Sequence, residues 1–131
     1  MYITKSMKKI KIVKGKTLKK QCDGLWSKLV KLRAGNKSEL SGKTENLHSH
    51  HIVGKPGYRL RYELENGICL TGGEHFFGVH NQGRQKDYEE RIREVKGQDI
   101  YERLELLKNE KSKSLALIKI YLEQELKKYD T

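Results

Sequence analysis

Apolar residues recur at helical spacing from residue 17 onward. They lie on one face of a predicted helix, and the sequence Ala34-Gly35-Asn36 ends it, since glycine and asparagine commonly close helices. The members of this face are Leu18, Cys22, Leu25, Trp26, Leu29 and Leu32. We expect Trp26 to anchor the core. Residues 1–16 fit either a short strand or a flexible arm.

Short apolar runs replace this pattern after residue 46. Leu47–Val53 predicts one strand, and Ile68-Cys69-Leu70 predicts a second, short and buried strand. Residues Tyr58 to Tyr62 alternate between apolar side chains and arginine. Three glycine-containing sequences mark the boundaries: the turn Gly54-Lys55-Pro56-Gly57, the tight turn Asn66-Gly67, and Gly72-Gly73, which precedes a helix beginning near Glu74.

Charged helices with an apolar seam are predicted beyond Asn81. The three apolar stripes are Tyr88/Ile92/Val95, Ile100/Leu104/Leu107 and Leu115/Ile118/Leu122/Leu126/Tyr129. Acidic and basic residues four apart support exposed helices of this kind. The stripes indicate packing helices or a self-association surface. Together, the two predicted strands and the helices around them predict an α+β fold.

The net charge of +11 is concentrated at the N-terminus. The first 20 residues hold eight of the 28 lysines and arginines and none of the 17 acids, which leaves 20 basic and 17 acidic residues for the rest. A basic arm suggests a polyanionic partner, and nucleic acid before a membrane, because no aromatic-flanked amphipathic stretch accompanies it. A solvated, partly disordered tail explains such a run equally well.

The two cysteines, Cys22 and Cys69, lack the close spacing of a metal or redox motif. A disulfide framework is therefore not expected, and the chain is predicted to be cytoplasmic. No apolar run approaches the roughly 18 residues of a membrane span, so no membrane association is predicted.

The candidate chemistry lies in a histidine-rich stretch between residues 47 and 81. All five histidines are here, in the groups His48/His50/His51 and His75/His80. Neighbouring side chains on a strand point to opposite faces, so His50 and His51 face different partners. A metal ligand beside a general base is the combination that metal-assisted hydrolysis needs. Three neutral imidazoles around one ion also leave positions for water and a phosphate oxygen.

The runs LHSHHIVG, ENGICL and EHFFGVHN resemble the HNH endonucleases, in particular their small phage-type members. Asn66 follows His50 by 16 residues and His75 follows it by 25, both compatible with the family's hairpin. The upstream run CDGLWSKLVKLRAG is similar to the helix that precedes the motif in these proteins, so the resemblance covers roughly residues 21–95. It implies a ββα-metal core, in which a β-hairpin and a helix hold one divalent ion.

The resemblance also implies roles for individual residues. His50 would be the first metal ligand, and His51 the general base that takes a proton from the attacking water. Asn66 would hydrogen-bond across the hairpin loop and orient His51, and His75 would be the second ligand. The ion would neutralise charge on the phosphate and on the leaving 3′-oxygen.

Two departures from the family pattern stand out. The last ligand of the family falls on the position of Val79, whereas the histidine here is His80, one residue later. Gly78 would permit a bulge or an early helix end that turns His80 inward, and Asn81 or a water is the alternative last ligand. Many relatives also carry two pairs of cysteines that form a zinc knuckle. The matching positions here are Ser38, Ser41, Thr71 and Glu74, so a four-cysteine zinc site is excluded. Either packing or hydrogen bonds replace the knuckle, or the stability of the fold is lower.

Several basic residues are candidates for DNA phosphate contacts, although each is equally well explained as an ordinary surface cation. They are Arg59, Arg61, Arg84 and Lys86, with Lys8, Lys9 and Lys11 in the arm. His48 shares a strand face with His50 and is predicted to contact DNA or solvent rather than the metal.

The sequence therefore predicts a basic arm (1–20), an HNH nuclease core with its preceding helix (21–96) and charged C-terminal helices (97–131). The predicted function is DNA cleavage by a phage or mobile-element protein, with Mg²⁺ or Mn²⁺ as the expected ion and Zn²⁺ or Ni²⁺ as alternatives. The C-terminal helices would serve a homodimer or another phage protein. Two rivals are an inactive HNH-like module that binds DNA or recruits a partner, and a protein whose metal only stabilises a small domain.

Overall fold

A computed structural model describes residues 14–54, 57–81, 83–112 and 114–130. The chain is α+β, as predicted, with a two-stranded antiparallel sheet among helices. The elements in chain order are α1 (Gly15–Arg33), β1 (Leu47–His51), α2 (Tyr58–Arg61), β2 (Gly67–Thr71), α3 (Gln85–Lys96), α4 (Gln98–Leu107) and α5 (Leu115–Lys127). A 3₁₀ turn (Leu64–Asn66) precedes β2, and a π-helical segment (Glu74–Val79) follows it.

Helix α1 is the long helix that the first apolar stripe predicts. Its buried residues are Cys22, Trp26, Leu29 and Val30. The helix ends where predicted, since Gly35 and Asn36 both have positive φ angles, which stop the helical hydrogen-bond pattern. It begins at Gly15, so residues 15–20 of the predicted arm are helical. Lys8, Lys9 and Lys11 lie outside the described residues.

The two predicted strands form one hairpin with a long connection. His50 pairs with Ile68 and His51 with Gly67, which leaves residues 52–66 as the loop. The first strand ends at His51 rather than at Val53. The arginine-alternating stretch forms the short helix α2, and Asn66-Gly67 is not a tight turn, because Asn66 ends the 3₁₀ turn and Gly67 begins β2.

Two apolar clusters hold these elements together. The first joins α1 to α5 and to the hairpin loop, and contains Trp26, Leu29, Tyr62, Leu64, Ile118 and Leu122 among others. The second joins β2 to the π-helical segment and α3, and contains Ile68, Leu70, Val79 and Ile92. Val95, which the sequence pattern placed on the apolar face of α3, is exposed. No helix in the described part of the chain has the length and apolar character needed to cross a membrane.

Candidate metal centre

Three of the five histidines converge where the hairpin meets the π-helical segment. His50 comes from β1, His75 from the start of that segment and His80 from the residue after it. One ring nitrogen from each lies within 4.8 Å of the other two. Imidazole suits zinc, nickel and related divalent ions, and tetrahedral zinc places nitrogens about 3.3 Å apart. The three residues therefore fit one divalent ion.

The π-helical geometry explains why His80 reaches the cluster although it is one residue later than the family pattern. In a π-helix the backbone hydrogen bond joins residue i to residue i+5 rather than i+4. The amide of His80 donates to the carbonyl of His75 at 3.2 Å, so His80, five residues after His75, lies above it on the same face of the segment. The Nε2 atoms of these two rings are 3.0 Å apart. Val79, at the position expected from the family, is buried in the second cluster instead.

His48 contacts the second nitrogen of His75. Its Nδ1 lies 3.2 Å from Nδ1 of His75, so one ring donates to the other. Partial burial lowers the pKa of His75 below its usual value, and the neighbouring His80 and His48 lower it further. The neutral ring thus favoured is the form that binds a metal ion. His48 therefore lies beside the cluster of His50, His75 and His80, whereas the sequence suggested a contact with DNA or solvent.

His51 lies on the opposite side of β1, against α1. Its ring stacks on Trp26, with centroids 3.9 Å apart and planes 3° from parallel. Its Nε2 is 2.8 Å from the carbonyl oxygen of Arg61. Because a carbonyl only accepts hydrogen bonds, Nε2 carries the hydrogen, and in the neutral ring the lone pair is on Nδ1.

Asn66 is fully buried and connects the two sides of the hairpin loop. Its Oδ1 accepts from the amide of Val53 at 2.9 Å, and its Nδ2 donates to the carbonyls of Val53 and Leu60 at 3.2 and 2.9 Å. The Leu60 carbonyl immediately precedes the one that accepts from His51. Asn66 therefore restrains the segment that carries the hydrogen-bond acceptor for His51.

The basic residues proposed to contact phosphate have different surroundings. Arg59 pairs with Glu63 at 2.6 Å and with Glu110 at 3.0 Å. Arg61 makes two hydrogen bonds of 2.8 Å to Asp23, which raise the pKa of its guanidinium. Arg84 and Lys86 are exposed at the start of α3. Among the described candidates, Arg84 and Lys86 are thus more accessible than Arg59 and Arg61, whose guanidinium groups are already paired with carboxylates.

A hydrogen-bond network occupies the four positions that correspond to the zinc-knuckle cysteines of many HNH endonucleases. The buried Ser38 donates to Glu74 at 2.6 Å and accepts from the amide of Ser41 at 3.1 Å. The Thr71 amide donates to Glu74 at 2.7 Å. Burial alone would raise the pKa of Glu74, but the hydrogen bonds from Ser38 and Thr71 outweigh it and the pKa is lowered. The ionised carboxylate thus joins the loop before β1 to the segment that carries His75.

Comparison with protein-family models, with curated proteins and with solved structures finds no match to this chain. The resemblance to HNH endonucleases therefore rests on the residues of this sequence. The phage origin and the cytoplasmic localisation remain predictions.

Sequence reasoning missed two residues of this site. The signal for His48 was present, because residues two apart on a strand share a face and His48 therefore faces the same side as His50. Trp26 had no such signal, since only the tertiary fold brings α1 against His51. A helical apolar stripe identifies a core tryptophan without indicating what stacks on it.

Proposed function

We propose that this protein is a metal-dependent endonuclease that hydrolyses phosphodiester bonds in DNA, built on a ββα-metal core of β1, β2 and the π-helical segment. The observation that carries the proposal is the cluster of His50, His75 and His80 with His51 next to it in the chain. A cluster that only stabilised the fold would have no use for a fourth histidine held in one tautomer beside it.

Two of the candidate ligands and the candidate base border one cavity. His50 and His51 both line a cavity of about 180 Å³, together with Val79 and the exposed His80. A cavity of this size has room for several waters, since one water takes about 30 Å³. A nucleophilic water and a phosphate oxygen therefore have access to the same place.

The proposed reaction is hydrolysis by a single activated water. Nδ1 of His51 takes a proton from the water as its oxygen bonds to phosphorus, and the bond from phosphorus to the 3′-oxygen breaks. The leaving oxygen takes a proton from solvent. A divalent ion held by His50, His75 and His80 would supply Lewis-acid stabilisation of the charge on the phosphate and the leaving group.

The donor set bears on which ion is bound. Three imidazoles favour Zn²⁺, Ni²⁺ or Mn²⁺ over Mg²⁺, which prefers oxygen ligands. Among the described residues, the metal-competent group contains only these three donors, and one of them is exposed. This arrangement favours an open, catalytic site over the closed four-ligand shell of a structural site.

The charge distribution supports DNA as the substrate. The net charge of +11 and the basic first 20 residues provide sequence-independent attraction to phosphates. The exposed Arg84 and Lys86 follow His80 closely in the chain and are candidates for further phosphate contacts. We therefore expect binding to weaken steeply as the salt concentration rises.

The test is the conversion of supercoiled plasmid to nicked and linear forms by wild type and by His51→Ala. Each protein is assayed with Mg²⁺, Mn²⁺, Ni²⁺ or Zn²⁺ and with chelator. We expect metal-dependent cleavage by wild type and a loss of about 100- to 10,000-fold in His51→Ala, the usual contribution of a general base. A gel shift checks that the variant still binds DNA.

Intact DNA binding without cleavage in any metal would exclude the endonuclease and favour the inactive binding module. Equal cleavage by wild type and His51→Ala would exclude His51 as the base and leave the nuclease proposal without its mechanism.

A further inference from the structure

Two contacts fix the ring of His51, and both lead to helix α1. The first is the stack on Trp26, which covers one face of the imidazole at 3.9 Å between centroids. The indole is itself held, because its Nε1 donates to the carbonyl of Glu63 at 2.9 Å and only 3% of the residue is exposed. The face of the His51 ring is thus packed against a side chain that has little freedom to move.

The second contact is the hydrogen bond from Nε2 of His51 to the carbonyl of Arg61 at 2.8 Å. Helix α1 holds this carbonyl in place from the other side of the loop. Asp23, one turn before Trp26, makes two hydrogen bonds of 2.8 Å to the Arg61 guanidinium. The hydroxyl of Tyr62 donates to the carbonyl of Lys19 at 3.2 Å, which ties the next residue to the same helix.

We propose that Trp26 is a positioning residue for the general base, acting with the Asp23–Arg61 pair. Stacking sets the plane of the His51 ring, and the Arg61 carbonyl selects the tautomer with the hydrogen on Nε2. Together they keep the lone pair on Nδ1 in one orientation. The inference rests on the proposed function, in which Nδ1 takes the proton of the attacking water.

The energetic reason lies in the geometry of proton transfer. A general base works only within hydrogen-bonding distance of the proton that it removes, and a misplacement of about 1 Å can cost about 100-fold in rate. Rotation about the side-chain bonds of a half-buried imidazole would move Nδ1 away from that proton. The indole removes that freedom without supplying a polar group that would compete for the proton.

The first experiment compares Trp26→Phe with Trp26→Leu in steady-state plasmid cleavage. Phenylalanine retains an aromatic face that can stack on His51, whereas leucine retains apolar volume but has no aromatic face. We expect Trp26→Leu to lower kcat by about 10- to 100-fold with KM and the metal Kd unchanged, and Trp26→Phe to recover most of that loss. Leu122→Ala is the matched control, since it removes buried volume from the same cluster without removing an aromatic ring.

The second experiment reads the ring of His51 directly and does not depend on cleavage. A long-range ¹H–¹⁵N correlation spectrum of the full-length protein, recorded where the ring is neutral, distinguishes the two tautomers. We expect wild type to show the hydrogen on Nε2, with ring protons shifted upfield by the indole. Asp23→Asn replaces a half-buried side chain and is expected to fold, so it is the variant to record if Trp26→Leu does not fold. In either variant we expect a mixture of the two His51 tautomers.

The outcomes separate this inference from the proposed function. A single Nε2–H tautomer that Trp26→Leu or Asp23→Asn disturbs, in a protein that cleaves no DNA, supports the positioning role and contradicts the endonuclease. Cleavage that Trp26→Leu leaves at the wild-type kcat overturns the positioning role and leaves the endonuclease intact. A wild-type spectrum with mixed tautomers overturns it as well.

Discussion

The affinity of a histidine for a metal ion depends on the hydrogen-bond partner of its second ring nitrogen as well as on the nitrogen that binds the ion. In histidine sites, that partner fixes which ring nitrogen carries the hydrogen and how the ring is turned. His48 is in this position, with its Nδ1 at 3.2 Å from Nδ1 of His75. If Nε2 of His75 binds the ion, the hydrogen on its Nδ1 points to His48. The ring of His48 is then the hydrogen-bond acceptor for His75, where other histidine sites often have a carboxylate.

Loss of this partner should weaken metal binding without removing a ligand. We expect His48→Ala to raise the Kd for Zn²⁺ by about 10- to 100-fold, the usual effect of removing such a partner. His48→Gln, which retains a hydrogen-bond acceptor, should recover part of the affinity. Isothermal titration calorimetry at neutral pH measures both values. An unchanged Kd in His48→Ala would show that His75 does not depend on this contact.

At the scale of the element, the π-helical segment determines the site. It moves His80 onto the face of His75, and it needs a glycine at position 78. A Cβ on Gly78 would lie 2.5 Å from the ring of Tyr88 on α3, whereas a Cβ on Gly73 would have no neighbour nearer than 3.8 Å. The close packing of α3 against the segment therefore depends on the missing side chain at Gly78.

Gly78→Ala should consequently displace the segment. We expect a loss of about 1–3 kcal/mol in the free energy of unfolding, the usual result of adding volume to a packed site. Metal affinity should fall too, because His80 adjoins the displaced residue. Gly73→Ala is the matched control and should be neutral or slightly stabilising, since Gly73 has helical angles. Urea denaturation and calorimetry test the pair, and equal stability of the two variants would contradict the packing argument.

The elements divide into those that the sequence predicts and those that it does not. The stripes of α1 and α5 follow a period of 3.6 residues, so their location was correctly predicted. The π-helical segment was not, because a single i+5 turn has no periodicity of its own and arises from packing. The short helix Tyr58–Arg61 was not predicted either, because the alternation of apolar residues and arginine is compatible with a four-residue helix as well as with a strand.

For the molecule as a whole, α5 completes the core behind α1. Leu122 is fully buried in the cluster that contains Trp26, Leu29 and Tyr62, so the last helix packs behind the one that contacts His51. The apolar stripe at the C-terminus thus serves the core, although Leu117, Ile120 and Tyr121 of the same helix are exposed. The sequence left open whether the stripe packs internally or joins copies of the chain.

Two leucines on α5 test this role. We expect Leu122→Ala to lower the free energy of unfolding by about 2–5 kcal/mol, because it leaves a cavity in the first cluster. Leu117→Ala, at 58% exposure on the same helix, should change it by less than about 0.5 kcal/mol. Chemical denaturation gives both values. A large effect of Leu117→Ala would instead indicate that the exposed face of α5 is covered in solution.

In the proposed function, one divalent ion held by His50, His75 and His80 is required for DNA cleavage. The most direct measurement strips the protein with chelator and follows plasmid cleavage as metal is returned, in wild type and in His50→Ala. We expect no cleavage by the stripped protein and full recovery of cleavage by wild type at one ion per chain. His50→Ala should need a much higher metal concentration for the same recovery. Cleavage that persists without metal, or an identical titration in His50→Ala, would contradict this expectation.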